Sequence, residues 1–119
     1  MKISESESRV MEVLWREAPL TSAEVAERVA PEEGWSPKTV RTLLDRLVRK
    51  QAVSRQKSGR LYQFRPAIDR EDWIREKAGD LVERHLEGRL APLVAAFAER
   101  EKLSEADRRE ILRMLEDLE

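Results

Sequence analysis

The sequence predicts a mainly α chain: three helices, a two-stranded hairpin, and a tail of three further helices. Three observations predict it. Apolar residues recur at helical spacing in six stretches, and the period falls to 2 only between residues 53 and 64. Ser, Thr, Asp, Pro and Gly stand where these stretches begin and end, as helix caps and tight turns require.

The first helix opens at Ser4-Glu-Ser-Glu7, a capping box in which hydroxyl and carboxylate each satisfy a free backbone N–H. Val10, Met11, Val13, Leu14 and Trp15 form its apolar face, and Pro19 ends it. A second box, Thr21-Ser-Ala-Glu24, opens a short helix that buries Val25, Ala26 and Val29. Pro31 is expected to close that helix, leaving residues 31–35 as a loop. Ser36 and Pro37 then suit the N-cap and first position of a third helix. Trp35, just before the cap, fits a hydrophobic staple for it. Val40, Leu43, Leu44, Leu47 and Val48 occupy one arc of this helix. Lys38, Thr39, Arg41, Thr42, Asp45, Arg46 and Arg49 occupy the other, and the two faces do not mix.

Residues 53–57 and 60–64 read as strands joined by a Ser58-Gly59 turn, with Pro66 ending the second. Asp69 caps a fourth helix carrying Trp73, Ile74, Ala78, Leu81, Val82, His85 and Leu86. Gly88 and Pro92 mark a break, after which Leu93, Val94, Phe97 and Ala98 share a fifth helix. Ser104-Glu-Ala-Asp107 resembles a third capping box and starts a helix bearing Ile111, Leu112, Leu115 and Leu118. Three helices followed by a hairpin is the order of a winged helix-turn-helix. The expected organisation is a winged-helix domain over residues 1–66 and a helical dimerisation domain over 67–119.

Charge is distributed unevenly. The 119 residues carry a formal net charge of −1, yet residues 36–65 hold nine basic side chains and one acidic. The segments on either side are both acidic. A cationic stretch laid over a recognition helix and the hairpin after it points to double-stranded DNA as the partner. A major groove about 12 Å wide admits one helix, and Arg or Lys there can bond guanine while a Thr methyl meets thymine. Lys38, Thr39, Arg41, Thr42 and Arg46 are the base-contact candidates. Arg49 and Lys50, further along, are candidates for phosphate, and Lys57 and Arg60 flank the turn to grip backbone or minor groove. Ser22, at the start of the second helix, is a neutral phosphate donor. A protein–protein adaptor using the same face, without specific DNA readout, is the alternative reading.

Other chemistries lack their parts. With no cysteine and a single histidine, neither a protein-only zinc site of the usual kind nor a paired nucleophile can be assembled. No cofactor, metal or enzymatic activity is expected. There is no apolar run near 18 residues and no secretory pattern at the start, so no membrane insertion is expected and the cytoplasm is the expected location. A lone His85 on a semi-apolar face reads as packing.

The tail stripes exceed what a module of about 65 residues can cover, and one tail has too few large residues to make its own core. Pairing two tails across a two-fold axis buries them and presents two recognition helices to DNA. Trp73, Leu81, Leu86, Leu93, Val94, Phe97, Ile111, Leu115 and Leu118 are the expected dimerisation residues.

At Trp35-Ser-Pro-Lys-Thr-Val-Arg-Thr-Leu-Leu44 the sequence resembles the penicillinase-repressor and methicillin-resistance-repressor family of winged-helix regulators. Glu7, Val10-Met11 and Leu14-Trp15 extend the resemblance forward. Arg46-Leu47, Lys50, Lys57, Tyr62, Leu93-Val94 and Lys102-Leu103-Ser104 extend it back along the chain. It implies homodimers that repress transcription from palindromic operators. It also implies release by a protease of a membrane sensor pathway, which leads to cleavage of an Asn–Phe bond in the dimerisation region; the matching bond here is Ala96–Phe97. Related copper-responsive repressors carry a C-terminal cysteine cluster, which this chain lacks. Gln51 stands where a glycine often ends the recognition helix.

Overall fold

The computed structural model describes residues 2–100 and 102–118. They form two compact units, one ending at Trp73 and the other beginning at Ile74. The element order is α1 (Glu5–Arg16), α2 (Ser22–Glu33), α3 (Pro37–Arg49), β1 (Val53–Ser58), β2 (Leu61–Pro66), α4 (Arg70–His85), α5 (Ala91–Glu99) and α6 (Glu105–Asp117). This is the mainly helical winged-helix order expected from the sequence.

Both capping boxes close. Ser4 Oγ accepts the Glu7 N–H at 3.1 Å while Glu7 Oε1 accepts the Ser4 N–H at 2.9 Å. Thr21 and Glu24 repeat the exchange at 3.2 and 2.9 Å. α2, however, does not stop at Pro31. The proline cannot donate to the Glu27 carbonyl, but both residues are exposed and water can serve that oxygen. The helix continues to Gly34, whose φ of 66° and bond to the Ala30 carbonyl end it. The positive-φ Gly34, not the proline, sets this boundary.

The first unit's core draws on every element. Val10, Met11 and Leu14 of α1 meet Val25 and Val29 of α2, and Val40, Leu43, Leu44 and Leu47 of α3; Ala52, Val53 and Phe64 close it from the hairpin side. In the antiparallel register Val53 pairs with Pro66 and Ser58 with Leu61. The turn is therefore Gly59-Arg60, one residue later than expected. This register puts Val53 and Phe64 on one face, where both are buried. It also gives Gly59, at φ 65°, the first turn position, as a type II′ turn demands. Leu20 adds a one-residue third strand: its N–H and carbonyl exchange bonds with Phe64 at 3.0 and 2.7 Å. The wing's base is thereby fastened to the chain just ahead of α2.

The first unit reaches beyond the expected boundary at residue 66. The Trp15 indole N–H donates to the Ile68 carbonyl at 3.0 Å, and Arg70 lies 3.3 Å from Glu12. The Trp15 and Trp73 rings are 5.4 Å apart, so Trp73 packs within the first unit.

Asp69 starts α4 by accepting the Glu71 N–H at 2.9 Å. Positive φ at Glu87 and Gly88 breaks the path after α4. Ser104 caps α6 by accepting the Asp107 N–H at 3.0 Å. Only this half of the expected third box forms, because Asp is one methylene shorter than the Glu that completes the other two. None of the described residues of α4, α5 or α6 is buried.

Candidate nucleic-acid interface

α3 is positioned from both ends. At its start Ser36 Oγ accepts the Thr39 N–H at 3.2 Å, and Pro37 occupies the first turn. At its finish Gln51 takes φ 66°, its N–H bonding the Val48 carbonyl at 3.0 Å while the Ala52 N–H bonds Leu47 at 2.9 Å. That is a Schellman motif, with buried Ala52 and Leu47 as its apolar partners. A glutamine occupies the left-handed position that glycine fills without strain.

Between these ends the helix divides as expected. Its apolar residues face the core, and Lys38, Thr39, Arg41, Thr42, Arg46 and Arg49 are all exposed. Thr42 Oγ1 donates to the Lys38 carbonyl at 3.0 Å, leaving its methyl and lone pairs as the groups free for a ligand. Arg41 Nε lies 3.7 Å from Asp45, with both side chains roughly half exposed. An exposed i,i+4 pair contributes about 0.3–0.5 kcal/mol, whereas a bidentate Arg–guanine contact is worth about 1–3 kcal/mol. Arg41 is thus not withheld from a duplex by Asp45.

Lys50 is withheld. Its ammonium sits 2.6 Å from Glu7 Oε1 and 2.8 Å from the Lys2 carbonyl. The expected phosphate contact is therefore the partner of a carboxylate only 2% exposed. Burial pushes the Glu7 carboxyl up, but the hydrogen bonds from Lys50 and Ser4 and the Lys50 charge outweigh it and hold the group below its ordinary value. Nothing in the local sequence announces this pair, since its members stand 43 residues apart.

On the wing, Lys57 and Arg60 are exposed as expected. Neither Arg55 nor Tyr62 is among the expected DNA contacts, yet the Arg55 guanidinium lies 4.8 Å from the Tyr62 ring centre. By strand alternation Arg55, Lys57 and Tyr62 continue the face begun by Val53 and Phe64. Their signal was available in the period-2 pattern of the two strands. Ser22 occupies the first position of α2 and is half-buried.

The remaining expectations concern the second unit. Leu81, Phe97, Leu115 and Leu118 are exposed, and Leu86, Leu93, Val94 and Ile111 are half-buried. Phe97, Leu103, Ile111 and Met114 border an open groove of about 370 Å³. The Ala96–Phe97 bond lies inside α5 with both side chains exposed, and His85 is exposed at the end of α4. No helix among the described residues is long and apolar enough to cross a membrane.

Comparison with known proteins agrees with this layout. The family model described as "Penicillinase repressor" matches residues 3–117. The penicillinase repressor of Bacillus licheniformis is 34% identical over 116 residues, covering 98% of this chain and 91% of that protein. The methicillin resistance regulatory protein MecI of Staphylococcus aureus (strain N315) is 28% identical over 114 residues, covering 96% and 93%. The solution structure of monomeric Bacillus licheniformis BlaI in complex with the blaP half-operator shares 38% identity, with a TM-score of 0.53. It covers 60% of this chain and 88% of that one. With a family model matched almost from end to end, the chain belongs to the penicillinase repressor family.

Proposed function

We propose that this protein is a DNA-binding transcriptional repressor that acts as a homodimer on a palindromic operator. The observation that carries the reading is the polar face of α3. Five exposed candidates for base contact (Lys38, Thr39, Arg41, Thr42, Arg46) stand on a helix whose opposite face is locked into the core. Such a helix presents its side chains to a major groove without reorganising itself. Lys57 and Arg60 of the wing, with Arg49 at the far end of α3, supply contacts to the sugar–phosphate backbone. The relatives support the reading, being named repressors, one of them solved with half of an operator.

The second unit supports the dimeric reading. Its helices and their caps carry Leu81, Leu90, Phe97, Leu112, Met114, Leu115 and Leu118 in exposed positions, an apolar surface that a second copy would cover. Release by a protease of a membrane sensor pathway would act at Ala96–Phe97, and the helical setting of that bond requires α5 to open locally before cleavage.

The test is a mobility-shift titration with Arg41→Ala and Arg46→Ala. Each substitution is expected to weaken operator binding by about 1–3 kcal/mol and to relax the preference at one base position per half-site. Unchanged affinity and sequence preference in both variants would overturn the placement of α3.

A further inference from the structure

We infer that the Glu7–Lys50 pair is a positioning device that sets the recognition helix and the wing relative to α1, so that operator discrimination depends on two residues that touch no DNA. The inference rests on the DNA-binding reading above and extends it to residues outside the exposed face. Lys50 is the C-cap of α3, and the wing begins three residues later at Val53. The joint between the two DNA-facing elements thus carries the ammonium. Three groups converge there: Glu7 Oε1 at 2.6 Å, the Lys2 carbonyl at 2.8 Å and, on the same carboxylate oxygen, the Ser4 N–H at 2.9 Å.

Two features distinguish this from an ordinary surface pair. Glu7 is 2% exposed and is the one buried charged residue within a first-unit core that is otherwise apolar among its described members. Its second oxygen, Oε2, is buried without a hydrogen-bond partner in the structure. A carboxylate in this setting tolerates few geometries, because losing the ammonium leaves a buried charge unanswered. The same joint holds Gln51 in a left-handed conformation, so the pair anchors a segment that is already constrained. Placement errors of about 1 Å matter for bidentate base contacts but little for contacts to a uniform backbone. Discrimination is therefore the property the pair should govern.

The experiment compares full-length wild type, Glu7→Gln, Lys50→Met and the double variant. Affinity for the selected operator and for random duplex is measured over a salt series, well below the melting temperature of each variant. Each single change is expected to lower the operator-to-random ratio at least tenfold. Random-duplex affinity should stay within twofold, the salt slope should not change, and the double variant should fall no further than the worse single. A Lys50→Met protein with a shallower salt slope, beside an unaffected Glu7→Gln, would overturn the inference and make Lys50 a phosphate contact. An unaltered ratio in both singles would reduce the pair to a fold-stabilising role and equally overturn it. Glu7→Gln is nearly isosteric and leaves the partly exposed Lys50 hydrated, so it remains informative even where Lys50→Met fails to fold. If wild type itself shows no preferred sequence, it is the DNA-binding reading that fails.

Discussion

Replacing Gln51 by glycine should stabilise the protein, and the expected size can be worked from the local geometry. Gln51 has φ 66° and is held there by two bonds, from its own N–H to Val48 and from the next N–H to Leu47, so it cannot relax without opening the Schellman motif. A left-handed conformation costs a non-glycine residue about 1–2 kcal/mol. Glycine removes that strain but loses more backbone freedom on folding, worth about 0.5–1 kcal/mol in the opposite sense. The Gln51 side chain is exposed, so its loss removes little packing. The net expectation for Gln51→Gly is a gain of about 0.5–1 kcal/mol, a rise of a few degrees in melting temperature. Gln51→Ala keeps the Cβ and should be near neutral. Urea unfolding of the full chain at one fixed protein concentration, followed by circular dichroism, measures both variants. A Gln51→Gly protein no more stable than wild type, with Gln51→Ala behaving alike, would refute the assignment of strain to this residue.

Other perturbations test separate parts of the account. For a dimer in which Arg49, Lys57 and Arg60 of each copy neutralise phosphates, the log–log salt slope of DNA binding is expected to be about −5. Lys57→Ala should shift it toward zero by about 1.8, about 0.9 for each of two lost contacts, with little change in sequence preference. Because the Glu7 carboxyl is held below its ordinary value, its contribution to stability is complete above the unfolded-chain value of about 4.3. It is lost as pH falls from there through the lower folded value, so Glu7→Gln should flatten the acid limb of a stability–pH curve relative to wild type. Phe97→Glu, in an exposed position on α5, should shift sedimentation equilibrium from dimer toward monomer while leaving the circular dichroism spectrum of the helices largely intact; an unshifted equilibrium would remove Phe97 from the proposed interface.

What the sequence revealed, and what it hid, divides by the range of the interactions. The starts of α1, α2 and α3 were legible because Ser4, Thr21 and Ser36 act on backbone groups three residues away. The polar face of α3 was legible because helical periodicity alone separates Arg41 and Arg46 from Leu43, Leu44 and Leu47. The end of α2 was misplaced because a proline rule applies fully only where the freed carbonyl is kept from water. The hairpin turn was one residue off because Gly59, at φ 65°, takes the first of the two turn positions, whereas the Ser58-Gly59 reading made it the second. Leu20's bridge to Phe64 and Lys50's bond to Glu7 join residues more than forty positions apart. Neither leaves a local pattern. The packing of Trp73 on Trp15 is equally non-local: an apolar stripe shows that a helix packs on something, not on what.

The most direct test of the central claim is selection of DNA from a random library by the purified full-length protein, followed by sequencing. The account predicts a two-fold-symmetric consensus whose half-site centres lie about 10 base pairs apart or a multiple of that, as two copies of α3 on one face of a duplex require. Enrichment of no sequence, or of a single unpaired half-site at concentrations where the tails should associate, would contradict it.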